Sequence, residues 1–139
     1  MERCDQYPTY TGRMTENKAL IEAYLQSLSG KAKTPDVVDQ YVADPKLAQH
    51  IADTEKAFPR YELIIQELIG EGDRVVVRGE FRGTHAGPFA GVEATGKPVT
   101  AGLIIIYQIQ GQKIVNHWMQ FDLYSLLEQL NGKPVGAHA

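Results

Sequence analysis

The chain has 139 residues, 43% of them apolar and 9% aromatic, enough for one domain with a core of its own. Its 14 basic and 17 acidic residues give a net charge of -3 and are interspersed, which argues against a nucleic-acid surface. A single cysteine, Cys4, excludes an intramolecular disulfide framework and a thiolate zinc site and fits a reducing compartment, so the cytoplasm is the expected address. The longest apolar run, Leu103 to Tyr107, falls far short of a membrane span, and the first residues lack a hydrophobic signal core; neither membrane insertion nor export is expected.

Residues 1–14 show no helical or strand period and are expected to form a flexible tail. One domain is expected over 15–132, with 133–139 a second tail. From Thr15 the period becomes helical. Leu20, Tyr24 and Leu28 are spaced by four, Thr15 is a capping residue, and Gly30 is the stop, which predicts a helix from Thr15 to Ser29. Thr34-Pro35 and Asp44-Pro45 each set a capping side chain before a proline suited to the first helical position. They predict helices from Pro35 to about Ala43, carrying Val38 and Tyr41, and from Pro45 to Phe58, carrying Leu47, Ile51 and Phe58.

After Pro59 the period changes to two. Tyr61, Leu63 and Ile65 alternate with other positions, Gly70 to Arg74 make a turn, and Val75 to His85 resume the alternation, which predicts a hairpin. Residues 86–98, rich in glycine and proline, read as a loop long enough to cover something. Val99 to Gln110 is apolar on both faces, so it is placed centrally in a sheet, turning through Gly111 to Lys113 into Ile114 to Asp122. Leu123, Leu126, Leu127 and Leu130 return to helical spacing, and Asn131-Gly132 is the stop. Helices followed by four antiparallel strands and a short helix make an α+β domain, its curved sheet wrapped around the N-terminal helices and enclosing a pocket.

"GTHAGPFAGVEATGKPV" (Gly83 to Val99) and "GQKIVNHWMQFDLYSLLEQL" (Gly111 to Leu130) together resemble the signature of the SnoaL-like polyketide cyclases. The resemblance rests on a Gly-Thr-His strand end, a Gly-x-x-x-Gly loop, a Thr-Gly-Lys turn, and a Trp-x-x-x-Asp run leading into a Leu-x-x-Gln-Leu helix. It implies the cone-shaped, cystatin-like α+β barrel of the nuclear-transport-factor-2-like superfamily, often a homodimer through its sheet. It also implies that an aspartate at Asp122 removes a proton beside a carbonyl, so that the enolate closes a ring by aldol condensation without metal or organic cofactor. Glu93-Ala94 replaces a usual proline pair, and Ser125 a common glycine.

Strand alternation puts Asn116, Trp118, Gln120 and Asp122 on one face and Val115, His117, Met119 and Phe121 on the other. If the first set lines the pocket, burial beside Trp118 raises the pKa of Asp122 and poises it as a base. Asp122 also directly precedes a helix, and as an N-cap it would be held ionised by backbone N–H groups instead. His85, on the face of Val75, Val77 and Phe81, is expected to point inwards, either as donor to a substrate carbonyl, alongside Gln120, or bonded to the loop backbone. His117 is expected on the outer or dimer face. His50 faces either pocket or solvent, and Tyr24, Phe58, Tyr61, Tyr107 and Trp118 are candidate pocket walls. Arg78 and Glu80 read as an exposed cross-strand pair rather than as the water-activating set of an epoxide hydrolase. No pair among His50, Glu80, His85, His117 and Asp122 has metal-binding spacing, so no metal is expected. The expected function is acid–base chemistry on a small hydrophobic carbonyl compound, of cyclase or isomerase type. The alternative is a ligand-binding or dimerisation module of the same fold without chemistry.

Overall fold

A computed structural model describes residues 8–131. Helices α1 (Pro8–Leu28), α2 (Pro35–Tyr41) and α3 (Pro45–Ala57) precede strands β1 (Glu62–Glu71), β2 (Arg74–Thr84), β3 (Pro98–Gln110) and β4 (Lys113–Phe121), and α4 (Leu123–Leu130) closes the domain. The four strands form one antiparallel sheet in chain order. This is the α+β architecture read from the sequence. The first helix begins at Pro8 rather than Thr15, so residues 8–14, expected in a tail, are helical. The expected tails over 1–7 and 133–139 lie outside the described residues.

Local chemistry accounts for the ends of the helices. The Thr34 hydroxyl accepts from the N–H of Val37 and the Asp44 carboxylate from that of Lys46, each just ahead of a proline. After α1 the chain reverses at Gly30, whose φ of +72° is left-handed and favours a residue without Cβ. Ile21, Tyr24, Leu25 and Leu28 form the buried stripe of α1 against β1 and β2, while α4 buries Leu126 and Leu130 against β3. Each such side chain contributes about 1.5–3 kcal/mol by leaving water.

On the sheet, Val75, Val77 and Phe81 of β2 and Val99, Ala101, Leu103, Ile105, Tyr107 and Ile109 of β3 face the helices and are buried. The opposite face carries Arg78, Glu80, Ile104, Ile106 and Trp118. The Arg78–Glu80 pair expected there does not form: Arg78 pairs with Glu67 at 3.0 Å and Arg82 with Glu80 at 2.8 Å. In β4 the register slips opposite Gln108 and Ile109, which pair with Asn116 and Ile114, and leaves Val115 as an extra residue. This bulge is why Ile114 is fully buried while Asn116, Trp118 and Gln120, two, four and six residues on, are exposed.

Candidate active site

Between the helices and the inner face of the sheet lies a cavity of about 140 Å³, walled almost wholly by apolar side chains. Phe58, Phe81, Phe89 and Phe121 form one end of it, with ring centroids 5.1 Å apart for Phe58–Phe81, 5.2 Å for Phe58–Phe89 and 5.7 Å for Phe81–Phe121, all steeply inclined. Phe89 comes from the segment between β2 and β3. That segment is tied down where the N–H groups of Ala86 and Gly87 both donate to the carbonyl of Ala57. A Cβ on Gly87 would stand 2.4 Å from the carbonyl oxygen of Lys56, so only glycine fits there.

The polar groups of the wall are Tyr24, Tyr107, the histidines His50 and His117, Thr54, and Tyr61, whose ring packs on Phe81. His117 Nδ1 lies 2.8 Å from Oδ2 of Asp44, which is 6% exposed. The other Asp44 oxygen accepts from the N–H of Lys46 at 2.9 Å. The segment carrying Asp44 is pinned to the start of β4, because the N–H groups of Ala43 and Asp44 donate to the carbonyl of Ile114 and Val42 bridges to the same residue. The carboxylate is thereby fixed at one position relative to β4. Burial works to raise its pKa, but the bonds from His117 and from the helix backbone outweigh burial and hold it below the usual carboxylate value. An ionised Asp44 accepts the Nδ1–H of His117, which leaves Nε2 as the nitrogen available to a ligand. His50, whose inner edge reaches the cavity, is held below the ordinary histidine pKa by burial and then by the neighbouring His117.

The structure redistributes the residues expected at the site. Tyr24, Tyr61, Phe58 and Tyr107 line the cavity, and His50, left open between pocket and solvent, reaches it with one edge while remaining exposed. Asn116, Trp118 and Gln120 do not: they are exposed on the outer face, where the guanidinium of Arg74 lies 4.8 Å from the Trp118 ring. The inward set of β4 is His117, Met119 and Phe121, the reverse of the expected facing, because these residues pair with the inward Tyr107, Ile105 and Leu103 of β3. Asp122 is exposed, and its carboxylate accepts from the N–H of Ser125 at 3.0 Å as the N-cap of α4. It lies along a shallow groove of the outer face with Arg78, Gly102 and Gln120. His85 is fully buried but is not among the cavity-lining residues. Its ring packs on Phe58 with centroids 5.5 Å apart, and its Nδ1 accepts from the N–H of Thr95 at 3.2 Å and meets the Thr95 hydroxyl at 3.0 Å. His85 thus holds the loop rather than the cavity.

Sequence reasoning passed over Asp44, taken as a helix cap alone, and placed His117 on the wrong face. The available signal was parity: His117 shares its face with Met119 and Phe121. Among the described residues no group of three or more His, Cys, Asp and Glu gathers as a metal site, and no helix is long and apolar enough to cross a membrane.

The family model for SnoaL-like polyketide cyclases matches residues 21–130. Among solved structures, AclR from Streptomyces galilaeus, a candidate hydroxylase, is 26% identical with a TM-score of 0.74, covering 87% of this chain and 84% of that one. TsrD from Streptomyces laurentii is 27% identical with a TM-score of 0.67, covering 81% and 92%. A candidate SnoaL-like polyketide cyclase from Jannaschia sp. CCS1, 20% identical with a TM-score of 0.74 over 87% of this chain and 95% of its own, shares the fold. No curated protein matches the chain.

Proposed function

We propose, because the chain belongs to the SnoaL-like polyketide cyclase family, that its cavity carries out acid–base chemistry on a small hydrophobic carbonyl compound, with His117 as the base and Asp44 as the group that orients it. The observation that carries this reading is the Asp44–His117 pair on the wall of an otherwise apolar cavity. A carboxylate on Nδ1 fixes the imidazole tautomer and supports the positive charge that appears when Nε2 takes a proton. The step is abstraction of a proton from the carbon beside a carbonyl: the C–H bond breaks, its electron pair forms a C=C bond, and the carbonyl π pair moves onto oxygen. In a cyclisation the enolate carbon then attacks a second carbonyl of the same molecule, and the proton held by His117 returns to the new alkoxide. The step as written uses side chains alone. Asp122, the base expected from the sequence, takes no part, since its carboxylate is engaged as a cap on the outer side of the sheet.

Homodimerisation is part of the same proposal. Ile69, Ile104 and Trp118 leave large apolar side chains 43–51% exposed, and Ile104 and Trp118 stand on the outer face of the sheet, a surface suited to a second copy.

The test is deuterium incorporation at the methyl group of acetophenone in heavy water, followed by proton NMR. The wild type should exchange it faster than buffer, and His117→Gln should lose at least about a hundredfold of the excess rate, the usual contribution of a general base. Asp122→Asn, which keeps a capping side chain, should exchange like the wild type. Undiminished exchange in His117→Gln, or its loss in Asp122→Asn, would return the base to Asp122. Binding without any exchange would favour the ligand-binding module.

A further inference from the structure

Tyr107 and His117 are direct partners across β3 and β4, so their side chains leave the sheet on the same face, with Cβ atoms about 5 Å apart. Both line the cavity. Behind Tyr107, Tyr24 of α1 meets it edge-on, with centroids 5.7 Å apart at 81°, so the two buried phenols stand side by side. Two adjacent hydroxyls hold two protons, and any bond between them uses at most one. One O–H is left to donate, on residues only 1% exposed, where little water competes for it. Burial raises the pKa of both phenols and the neighbouring Tyr61 raises it further, so both remain neutral at physiological pH.

The rest of the wall limits what can accept that proton. No lysine or arginine lines the cavity, His117 already faces the Asp44 carboxylate and burial lowers the pKa of His50, so a carboxylate or phosphate would meet no unpaired positive charge. The four-phenylalanine end, where Tyr61 also packs on Phe81 with centroids 5.3 Å apart, is mainly aromatic and suits the apolar body of a ligand. A neutral acceptor on an apolar body is the chemistry that matches both ends, and it would sit beside the only imidazole bound to a carboxylate among the described residues.

We infer that the Tyr107 hydroxyl, backed by that of Tyr24, is the oxygen-binding group of the cavity, and that its ligand is an uncharged ketone or aldehyde of about one-ring size. The carbonyl oxygen lies on Tyr107, the adjacent carbon faces His117, and the ring lies among Phe58, Phe81, Phe89 and Phe121. The inference deepens the proposed function and rests on it for the role of His117. As the proton moves to His117, negative charge develops on the ligand oxygen, and a donor already aimed there strengthens its bond without reorganisation.

The experiment titrates the full chain with 4-fluoroacetophenone and, as an isostere lacking the oxygen, 1-ethyl-4-fluorobenzene, read by fluorine NMR. The wild type should bind the ketone more tightly than the hydrocarbon. Tyr107→Phe, which keeps the ring, should weaken ketone binding about tenfold, the size of one buried hydrogen bond, and leave the hydrocarbon unchanged. Tyr24→Phe should weaken the ketone alone, about threefold, through lost cooperative support, and it decides the matter if Tyr107→Phe does not fold. Failure of the wild type to bind the ketone, equal binding of the two probes, or equal effects of the variants on both overturns the inference. Methyl deuteration, measured on the same samples, separates it from the proposed function. Tyr107-dependent binding without exchange removes the base assignment alone, and exchange that survives Tyr107→Phe removes the oxygen site alone.

Discussion

Replacing Asp44 by asparagine tests the pairing on which the site depends. Asparagine caps a helix about as well as aspartate, so the bond to the Lys46 N–H should survive and the helix end should change by only a few tenths of a kcal/mol. What is lost is a charge-assisted bond of 2.8 Å from His117 to a carboxylate that is almost entirely buried. Such a bond is worth about 1.5–3 kcal/mol, and that is the expected destabilisation of Asp44→Asn. Asp44→Ala should cost about 1 kcal/mol more, because the cap goes as well. The pH dependence carries a definite sign. A carboxylate whose pKa is lowered on folding contributes stability that is present above its unfolded value, about 3.9, and is lost as pH falls through the folded value. The contribution of the Asp44 charge to the gap between wild type and Asp44→Asn should therefore be lost as pH falls below about 4, where the gap closes. Urea denaturation followed by circular dichroism at several pH values gives the gap, and nitrogen-15 correlation spectra of His117 give the tautomer. With aspartate the Nδ1–H form should dominate; with asparagine, which can itself donate to Nδ1, the Nε2–H form should rise. A variant within about 0.5 kcal/mol of wild type and with the same tautomer would refute the reasoning, for the pair would then be no more than a surface contact.

Three further outcomes are expected. His50 has its pKa lowered by burial and then by His117, with Asp53 partly offsetting, so the unfolded chain takes up its proton more readily; wild type should lose stability relative to His50→Gln as pH falls from 7.5 to 5.5. Identical denaturation midpoint shifts in the two proteins would contradict this. His85→Ala removes the acceptor for the Thr95 N–H and leaves space beside Phe58; it should cost about 2–3 kcal/mol and speed amide hydrogen exchange at Thr95 and Gly96, and unchanged protection there would mean that His85 does not hold the loop. Trp118→Glu, on the outer face, should leave ketone binding intact while shifting sedimentation at micromolar concentration from dimer to monomer, and an unaltered sedimentation profile would count against association through this face.

The architecture was legible in the sequence because local rules decide it. The Thr34-Pro35 and Asp44-Pro45 caps, the reversal at Gly30, the change of period after Pro59 and the doubly apolar β3 each follow from backbone and solvation preferences that act within a few residues. The motifs from Gly83 to Leu130 pointed to the family for a related reason, since they lie in one continuous stretch of chain. The site itself was decided by contacts that periodicity does not encode. The pairing of His117, Met119 and Phe121 with the inward Tyr107, Ile105 and Leu103 decides which side chains of β4 enter the cavity, so Trp118 and Gln120 face outwards and His117 faces in. Asp44 and His117 are 73 residues apart, and they meet only because the start of α3 is hydrogen-bonded to the carbonyl of Ile114. A capping aspartate looks the same in sequence whether its second oxygen meets water or an imidazole. Asp122 and Asp44 both cap helices, and tertiary packing alone sets one beside a histidine at the cavity and leaves the other on the outer surface of the sheet.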